Sequence, residues 1–172
     1  MRLPYRLRQL RHNLAAGLLP SAAHDEIAGV LNEPEQDLFR RYSYADQGHG
    51  LRVFHMLRDA GYNHPDLLAA ALLHDVGKTR YPLSVWDRIL IVVGQALLGR
   101  RSERWGRGLP QGWRRPFVVR AQHPAWGADM AAAAGSRPEV VALIRRHQEK
   151  LTDAVGEEEG LLRLLQWADD QN

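Results

Sequence analysis

The sequence contains no cysteine and almost no lysine. Without cysteine, the 172-residue chain forms no disulfide and offers no thiolate metal ligand, so a reducing compartment, the cytoplasm, is the expected location. Lys78 and Lys150 are the only lysines among the 23 basic residues, and the other 21 are arginines. This bias is compatible with codon usage, and also with a phosphorylated ligand, because arginine suits bidentate phosphate contacts.

The sequence also lacks a hydrophobic run long enough to cross a membrane. Its candidates are residues 14–19 and 89–98. A spanning helix needs about 20 residues, and the apolar region of a signal peptide has roughly 7–15. We therefore interpret both runs as parts of amphipathic or core helices and expect no membrane partner.

Strand-like alternation, internal repeats and low-complexity linkers are lacking as well. Apolar residues recur at helical spacing, which predicts an all-α, single-domain helical bundle. We expect N-terminal helices in residues 1–45, packed on a domain formed by residues 46–172. Ser136 and Glu139 around Pro138 predict a capping box. The predicted helices cover residues 21–32 (with Ser21 as N-cap), 34–43, 46–60 (capped by Asp46), 65–77 (ending at Gly77), 83–99, 116–134, 138–150 and 157–170, and residues 100–115 form an ordered loop.

Charge is distributed unevenly along the chain, whose formal net charge is +3. Residues 80–120 hold nine arginines against Asp87 and Glu103, a net +7. These arginines are either a solvated surface or a positive rim that attracts an anion such as a phosphate ester. Nucleic acid is a weaker alternative, because no nucleic-acid-binding motif accompanies the charge. The loop with Trp105 and Trp113 is expected either to cover the pocket or to form a partner surface.

The stretch LLAAALLHDVGK, residues 67–78, is apolar on every side until it reaches His74 and Asp75. Both side chains leave the predicted helix from packed surfaces, where an imidazole and a carboxylate are costly to bury without partners. In addition, the helix dipole disfavours an anion in a last turn. A bound cation answers both objections, because it compensates the carboxylate and accepts neutral imidazole as a ligand. The other His-Asp pair, at residues 24–25, lacks this context and is interpreted as part of a capped surface helix.

Other ionisable side chains repeat the pattern on predicted apolar helices. His49, His123 and His147 lie on or at the end of such segments, and Asp169 and Asp170 end another. Each one alone is commonly a hydrogen-bonded core residue. Four cases on four helices, however, suggest convergence on one polar centre. Four further histidines lack that context and are assigned no role: His12, His24, His55 and His64.

Three segments resemble motifs of the HD-domain superfamily of metal-dependent phosphohydrolases. HGLRVFHML resembles its first-histidine helix, AALLHDVGK its signature helix, and LLQWADD its closing aspartate helix. The resemblance implies a four-ligand metal site made by His49, His74, Asp75 and Asp169. Asp169 is preferred to Asp170 because it directly follows an alanine, as in the usual Ala-Asp ending of the family.

Two more segments, HPAWGADMAAAAG and VVALIRRHQEK, resemble the additional histidine motifs of the binuclear branch, so the resemblance covers about residues 46–170. It implies His123 and His147 as ligands of a second metal, with Asp75 bridging both ions. The sequence departs from the cyclic-dinucleotide phosphodiesterase branch after HQE, where KLTDAVG follows and the Gly-Tyr-Pro element is absent. This departure argues against cyclic-di-GMP cleavage.

The resemblance implies hydrolysis of a phosphate ester or anhydride in a small, nucleotide-like substrate by water activated between two divalent ions. Four histidines and two aspartates suit Mn²⁺ or Fe²⁺, with Mg²⁺ and Ni²⁺ as further candidates, rather than Ca²⁺. Asp75 and Lys78 are expected to be catalytic, and Lys78 and Arg52 to contact the phosphate. Arg88 and Arg120 are suggested only by the charge of their segment. An HD-type di-iron oxygenase and a non-catalytic nucleotide-sensing module remain open as alternatives.

Overall fold

The chain has an all-α, single-domain fold in the computed structural model, which describes residues 19–98, 104–151 and 155–172. No β-strand occurs in these ranges, so the predicted fold class is confirmed. Residues 1–18 of the predicted N-terminal region, with His12 and all of the apolar run 14–19 except residue 19, lie outside the described residues. The α-helices of the described ranges are α1 (Ser21–Ala28), α2 (Glu33–Arg40), α3 (Tyr44–Asp59), α4 (Pro65–Leu73), α5 (Val85–Leu98), α6 (Arg115–Ala133), α7 (Pro138–Arg146) and α8 (Glu157–Gln171).

A capping box occurs at α2 rather than at α7, where the sequence predicts one. The Asn32 side chain accepts a hydrogen bond from the Glu35 amide, and the Glu35 carboxylate accepts one from the Asn32 amide. The predicted box of Ser136 and Glu139 is wrong, because Arg137 is the N-cap of α7 and makes no side-chain cap. Instead, the Ser136 hydroxyl donates to Glu35 Oε1 at 2.6 Å. This bond ties the start of α7 to α2.

In two other helices, the N-cap lies before the predicted residue, by one position in α1 and by three in α3. Pro20, not Ser21, is the N-cap of α1. Ser43, not Asp46, is the N-cap of α3, and its hydroxyl accepts a hydrogen bond from the Asp46 amide at 3.2 Å. The Ser43 hydroxyl also donates to the Asp46 carboxylate at 2.6 Å. As a result, α3 is already regular where it reaches His49.

The hydrophobic core is built around α4. This helix packs against α2, α3, α7 and α8, and all of residues 66–73 are buried, as the uniformly apolar sequence predicts. The buried carboxylate of Asp66 in its first turn accepts a hydrogen bond from Arg137 at 2.7 Å. Ile27 of α1 and Phe39 of α2 join the same core, while the domain boundary at residue 45 stays a prediction.

The chain leaves α4 four residues earlier than predicted. Leu73 is its last residue, and a 3₁₀ helix follows at Val76–Arg80. A Cβ added at Gly77 would lie 2.0 Å from the His123 carbonyl oxygen and 2.6 Å from the Gly127 nitrogen. The 3₁₀ helix therefore packs main chain against main chain on α6, a contact that only glycine permits. His74 and Asp75 lie in the turn between the two helices, so their predicted position in a last helical turn is wrong.

Helix α5 is buried on one side only. Ile91 is buried, and a Cβ added at Gly94 would lie 2.7 Å from the Phe117 ring of α6. Arg88 extends to α3, where its guanidinium contacts both carboxylate oxygens of Asp46 at 3.1 Å. Another side carries exposed large apolar side chains, so residues 89–98, interpreted as part of an amphipathic or core helix, lie in a helix that is apolar on both its buried and its exposed side. Four of them are Trp86, Leu90, Val93 and Leu97.

The described part of the predicted loop, residues 104–115, is ordered around aromatic rings. Trp105 packs edge-to-face on both Trp113 and Phe117, with ring centroids 5.0 Å apart in each pair. The Gln122 amide of α6 donates to two carbonyl groups of the loop. These contacts hold the loop beside α5 and α6. Within the described ranges, no helix combines the length and the apolarity needed to cross a membrane.

Candidate metal centre

Five separate elements bring the six predicted ligand side chains together. Five of these side chains are buried, and the sixth, Asp169, is 31% exposed. They form two groups, each able to offer three ligand atoms within 4.8 Å of one another. The ligand positions are His49 in α3, His74 and Asp75 in the turn after α4, His123 inside α6, His147 directly after α7, and Asp169 in the last turn of α8.

The first triad consists of His49, His74 and Asp169. His49 Nε2 lies 2.9 Å from Asp169 Oδ1 and 3.3 Å from His74 Nε2, and His74 Nε2 lies 3.6 Å from Asp169 Oδ1. Nitrogen and oxygen ligands about 2.0–2.2 Å from a divalent ion are roughly 2.8–3.6 Å from one another in tetrahedral or octahedral geometry. The spacing of the first triad therefore suits one ion.

The second triad consists of Asp75, His123 and His147. His123 Nε2 lies 3.1 Å from Asp75 Oδ1 and 3.2 Å from His147 Nε2. The third separation, from His147 Nε2 to Asp75 Oδ1, is 3.8 Å. All three side chains are buried, and their ligand atoms face one another at a spacing close to that of the first triad.

The Asp75 carboxylate stands between the two triads. Its Oδ1 faces the second triad, while its Oδ2 lies 3.6 Å from His74 Nε2 and 3.9 Å from His49 Nε2 in the first. One carboxylate thus presents a different oxygen to each group of ligand atoms. A carboxylate in this position is suited to bridge two cations.

Backbone carbonyls orient three of the four imidazoles. His74 Nδ1 donates to the Ala71 carbonyl at 2.9 Å, and His147 Nδ1 donates to the Ile144 carbonyl at 2.7 Å. His123 Nδ1 makes the same kind of bond one turn back along α6. A carbonyl oxygen only accepts, so Nδ1 of each of these rings carries a proton and Nε2 is the nitrogen that faces the centre. Such bonds are typical of metal-binding histidines.

Pro124 explains how His123 finds its carbonyl partner in the middle of a helix. Proline has no amide hydrogen, so the carbonyl of Arg120, four residues earlier, loses its usual helical donor. His123 Nδ1 lies 2.9 Å from that carbonyl oxygen and 3.1 Å from the one of Val119. The proline therefore leaves an acceptor that fixes the tautomer of the neighbouring histidine.

The facing nitrogens of the second triad fit a cation. Burial lowers the pKa of His123, and burial together with the neighbouring His123 and His74 lowers the pKa of His147 to about 3. Both rings are neutral at pH 7, and their Nε2 lone pairs face each other at 3.2 Å without a proton to share. A divalent cation between them would satisfy both lone pairs.

Both carboxylates of the centre are ionised near neutral pH. Burial raises the pKa of Asp75, but the Lys78 ammonium and His74 outweigh it and hold the pKa well below its usual range. Burial also raises the pKa of Asp169, and the hydrogen bond from His49 with the charge of His74 outweighs it in turn. Two negatively charged carboxylates, Asp75 and Asp169, are therefore available to bind cations.

His49 differs from the other three histidines. Its Nδ1 is buried and finds no hydrogen-bond partner among the described residues. Its ring packs edge-to-face on His74, with centroids 5.2 Å apart. Packing, rather than a carbonyl, orients this imidazole.

The predicted phosphate-binding cations lie outside both triads. Lys78 donates from Nζ to Asp75 Oδ2, and its side chain is partly exposed at the edge of the centre. Arg52 is half-buried one turn after His49, and a Cβ added at Gly48 would lie 3.4 Å from its Nη1. Arg88 pairs with Asp46, and Arg120 is half-buried on α6. Their roles toward a substrate stay predictions.

The described histidines without an assigned role lie away from the centre. His24 is exposed, and His55 is exposed and hydrogen-bonded to Glu26 at 2.7 Å. His64 precedes α4, 3.6 Å from Glu157. Neither ligand group includes any of them.

Two residues near the centre were missed by the sequence analysis. The Gln148 amide nitrogen lies 3.5 Å from His123 Nε2, and its position directly after His147 is a signal that could have drawn attention to it. The Tyr42 hydroxyl is buried beside Asp75. Its pKa is raised by burial and then by the charges of Asp75 and Asp46, so it is protonated at neutral pH. No spacing or motif in the sequence singles out Tyr42.

Comparison with known protein families identifies the family of this chain. A family model described as HD domain matches residues 47–170, well over half of the chain. The matched range contains every member of both triads. No curated protein and no solved structure matches the chain.

Proposed function

Because the chain belongs to the HD domain family, which includes metal-dependent phosphohydrolases, we propose that it hydrolyses a phosphate ester or anhydride of a nucleotide-like substrate. The reaction would use water activated at two divalent ions. His49, His74 and Asp169 would hold one ion, His123 and His147 would hold the other, and Asp75 would bridge them.

The position of Asp75 is the observation that carries this function. Its Oδ2 faces the two histidines of the first triad, and its Oδ1 lies 3.1 Å from His123 in the second. A single carboxylate with one oxygen directed at each group favours two ions over one. Two-metal sites serve phosphoryl transfer by binding both the attacking and the leaving oxygen.

The donor set also narrows the choice of metal. Four imidazole nitrogens and two carboxylates form a mixed nitrogen and oxygen set, which suits Mn²⁺ or Fe²⁺, with Mg²⁺ and Ni²⁺ as weaker candidates. Ca²⁺ prefers six to eight oxygen ligands and fits poorly. Once bound, such ions would supply a lowered pKa for water and charge stabilisation for the phosphoryl oxygens.

The other residues would bind and orient the phosphate. Lys78 carries an ammonium beside Asp75 Oδ2, with 24% of its side chain exposed, so it is placed to contact a phosphate oxygen at the edge of the centre. Arg52 is on the helix of His49 and would add a second cation. Gln148, beside His123, would donate a hydrogen bond from its amide.

Metal content combined with turnover tests this function. We expect metal-depleted protein reloaded with Mn²⁺ or Fe²⁺ to retain two ions per chain and to release phosphate from at least one member of a panel of mono-, di- and polyphosphonucleotides. His123→Ala should retain about one ion and lose turnover. His55→Ala is the matched control, since His55 is exposed and paired with Glu26.

Two outcomes would contradict the phosphohydrolase function. Oxygen consumption by iron-loaded protein, without phosphate release from any panel member, would favour a di-iron oxygenase using the same ligands. Nucleotide binding without turnover in metal-replete protein, unchanged in Asp75→Ala, would favour a sensing module.

A further inference from the structure

Helix α5 presents an apolar stripe to solvent. Trp86, Leu90, Val93 and Leu97 follow one another at steps of four, three and four residues, so they lie along one side of the helix over about 16 Å. Trp86 is 79% exposed and Leu97 is 77% exposed. Exposed apolar side chains that occur singly are ordinary, but a contiguous row of this size indicates a contact surface.

The contacts of α5 fix the direction in which the stripe points. On the buried side, Gly94 lies against the ring of Phe117, and Ile91 is buried. Near its first turn, Arg88 is ion-paired with Asp46 of α3. Turning the stripe inward would break these contacts, so the exposed row is a feature of the folded domain.

Cationic side chains accompany the apolar ones. The loop packed beside α5, residues 104–115, contains four arginines and no acidic residue. Arg104, Arg107 and Arg114 are exposed, and the Arg114 guanidinium lies 5.6 Å from the ring centroid of the exposed Trp113. The loop meets α5 through Trp105, which lies 3.7 Å from the position of a Cβ added at Gly94. Exposed tryptophan, aliphatic and arginine side chains thus occur on α5 and on the loop that packs against it.

We propose that this surface, formed by the α5 stripe with Trp113, Arg104 and Arg107, docks onto an anionic lipid bilayer. The apolar row would enter the boundary between headgroups and acyl chains, where tryptophan is favoured. The arginines would bind the negatively charged headgroups. A second copy of the chain is a poorer occupant, because it would bring the same cationic surface toward itself.

Peripheral docking differs from the sequence-based expectation of no membrane partner. That expectation depends on length, because residues 89–98 are too short to span a bilayer. Lying on a surface needs only one apolar face with a polar or cationic border.

Vesicle sedimentation of the full-length protein tests the proposal. We expect binding to phosphatidylglycerol-containing vesicles at low salt, about tenfold or more weaker binding to pure phosphatidylcholine, and a marked decrease at high salt. Trp86→Ser with Leu97→Ser should lower binding to the anionic vesicles by about tenfold or more. Arg104→Ser with Arg107→Ser should lower it less and reduce its salt dependence.

Two matched control variants test whether a loss of vesicle binding is specific to this surface or follows from removing any exposed apolar or cationic side chains. Leu151→Ser with Trp167→Ser removes one exposed leucine and one exposed tryptophan elsewhere, and Arg40→Ser with Arg41→Ser removes the same charge from α2 and its C-cap. Both should bind vesicles as the wild type does. Thermal unfolding followed by circular dichroism verifies that every variant is folded.

Three results would overturn the proposal. One is the absence of vesicle binding at low salt, and another is an equal loss of binding in the control variants. The third is a wild-type protein that is dimeric and does not bind vesicles, together with a monomeric Trp86→Ser, Leu97→Ser variant. The stripe would then be a self-association surface. None of these measurements depends on catalytic turnover, so they leave the proposed hydrolase activity to its own test.

Discussion

The two triads are similar in ligand spacing but differ in how their side chains are supported. In the second triad every side chain is buried, and each histidine donates from Nδ1 to a carbonyl three residues earlier. In the first, His49 lacks such a bond and Asp169 is 31% exposed. Asp75 is the side chain that faces both.

Because of this difference, we expect the two proposed ion sites to differ in their affinity for the ion and in how readily they exchange it. Backbone bonds to the outer nitrogen fix the ring orientation and raise ligand basicity, so the second site should bind its ion more tightly. The first site, with a more exposed carboxylate and a less constrained imidazole, should exchange its ion more readily. Under the proposed function, the exposure of Asp169 makes this the side from which substrate would approach.

The largest effect is expected at the carboxylate shared by the two triads. Asp75→Asn removes the carboxylate charge between the triads, and we expect kcat to fall by more than about 100-fold. Loss of a residue that only supports a metal ligand commonly costs about 10–100-fold in affinity or activity, whereas Asp75 would itself be a ligand. Metal analysis and steady-state phosphate release measure the outcome. Retention of two ions with near wild-type turnover would show that the triads do not depend on a common bridge.

A chelator should distinguish the two sites. We expect dialysis against increasing chelator to remove the ion of the first triad at a concentration roughly tenfold below that needed for the second, because His49 Nδ1 lacks an orienting hydrogen bond. Metal content by mass spectrometry gives the ions remaining per chain.

Two alanine variants identify which ion leaves first. His123→Ala should abolish the tightly held fraction, and His49→Ala the loosely held one. Release of both ions at one concentration in the wild type would mean that the difference in backbone support has no effect on affinity.

The stability of the metal-free protein should depend on pH through the buried histidines. The pKa of His147 is lowered to about 3 in the folded protein, whereas an unfolded histidine titrates near 6.5. Below pH 6.5 the unfolded chain therefore binds a proton that the folded chain does not. The free energy of unfolding should fall by about 1.4 kcal/mol per pH unit for this group between pH 6 and 4.

Urea unfolding at several pH values measures this slope. His147→Gln should remove about that contribution, and His55→Gln, at an exposed site, should leave the slope unchanged. Equal slopes in the wild type and His147→Gln would contradict the neutral, buried state of this ring in the second triad.

The smallest effect is expected at Pro124. Pro124→Ala restores an amide hydrogen, which would compete with His123 Nδ1 for the Arg120 carbonyl. His123 keeps the Val119 carbonyl at 3.1 Å, so we expect only a few-fold weaker binding of the second ion. Titration of metal-depleted protein with Mn²⁺ measures the change, and an unchanged affinity would mean that Val119 alone orients the ring.

The convergence of the ligands could be predicted from the sequence, but the local geometry around them could not. His49, His74, Asp75, His123 and Asp169 each interrupt or end an apolar segment, and a polar residue in such a place needs a partner. The early end of α4 has no comparable signal, because Gly77 indicates a helix stop as readily as a close backbone contact. The contact with α6 is long-range in sequence, and local pattern does not reveal it.

Side-chain partners that are distant in sequence explain the other differences. Ser136 matches a local capping motif but bonds instead to Glu35, about a hundred residues earlier in the chain. The sequence predicts burial for the exposed face of α5 because its residues are apolar. Which side of the helix is covered depends on its contacts with Phe117 and Asp46, which are distant in sequence. Composition predicts that a helix has an apolar face, not whether anything packs against it.

Gly77 contacts the His123 carbonyl, and this main-chain contact makes the spacing of the candidate metal centre independent of the side chains around it. The Asp75 carboxylate, which would bridge the proposed ions, and the His123 imidazole are carried by two backbone segments in direct contact, so no intervening side chain sets the distance between them. Under the proposed function, residues at the edge of the centre could therefore be exchanged for a new substrate preference without altering the separation of the proposed ions. A redesign of specificity should start at that edge and leave Gly77 and Gly127 untouched.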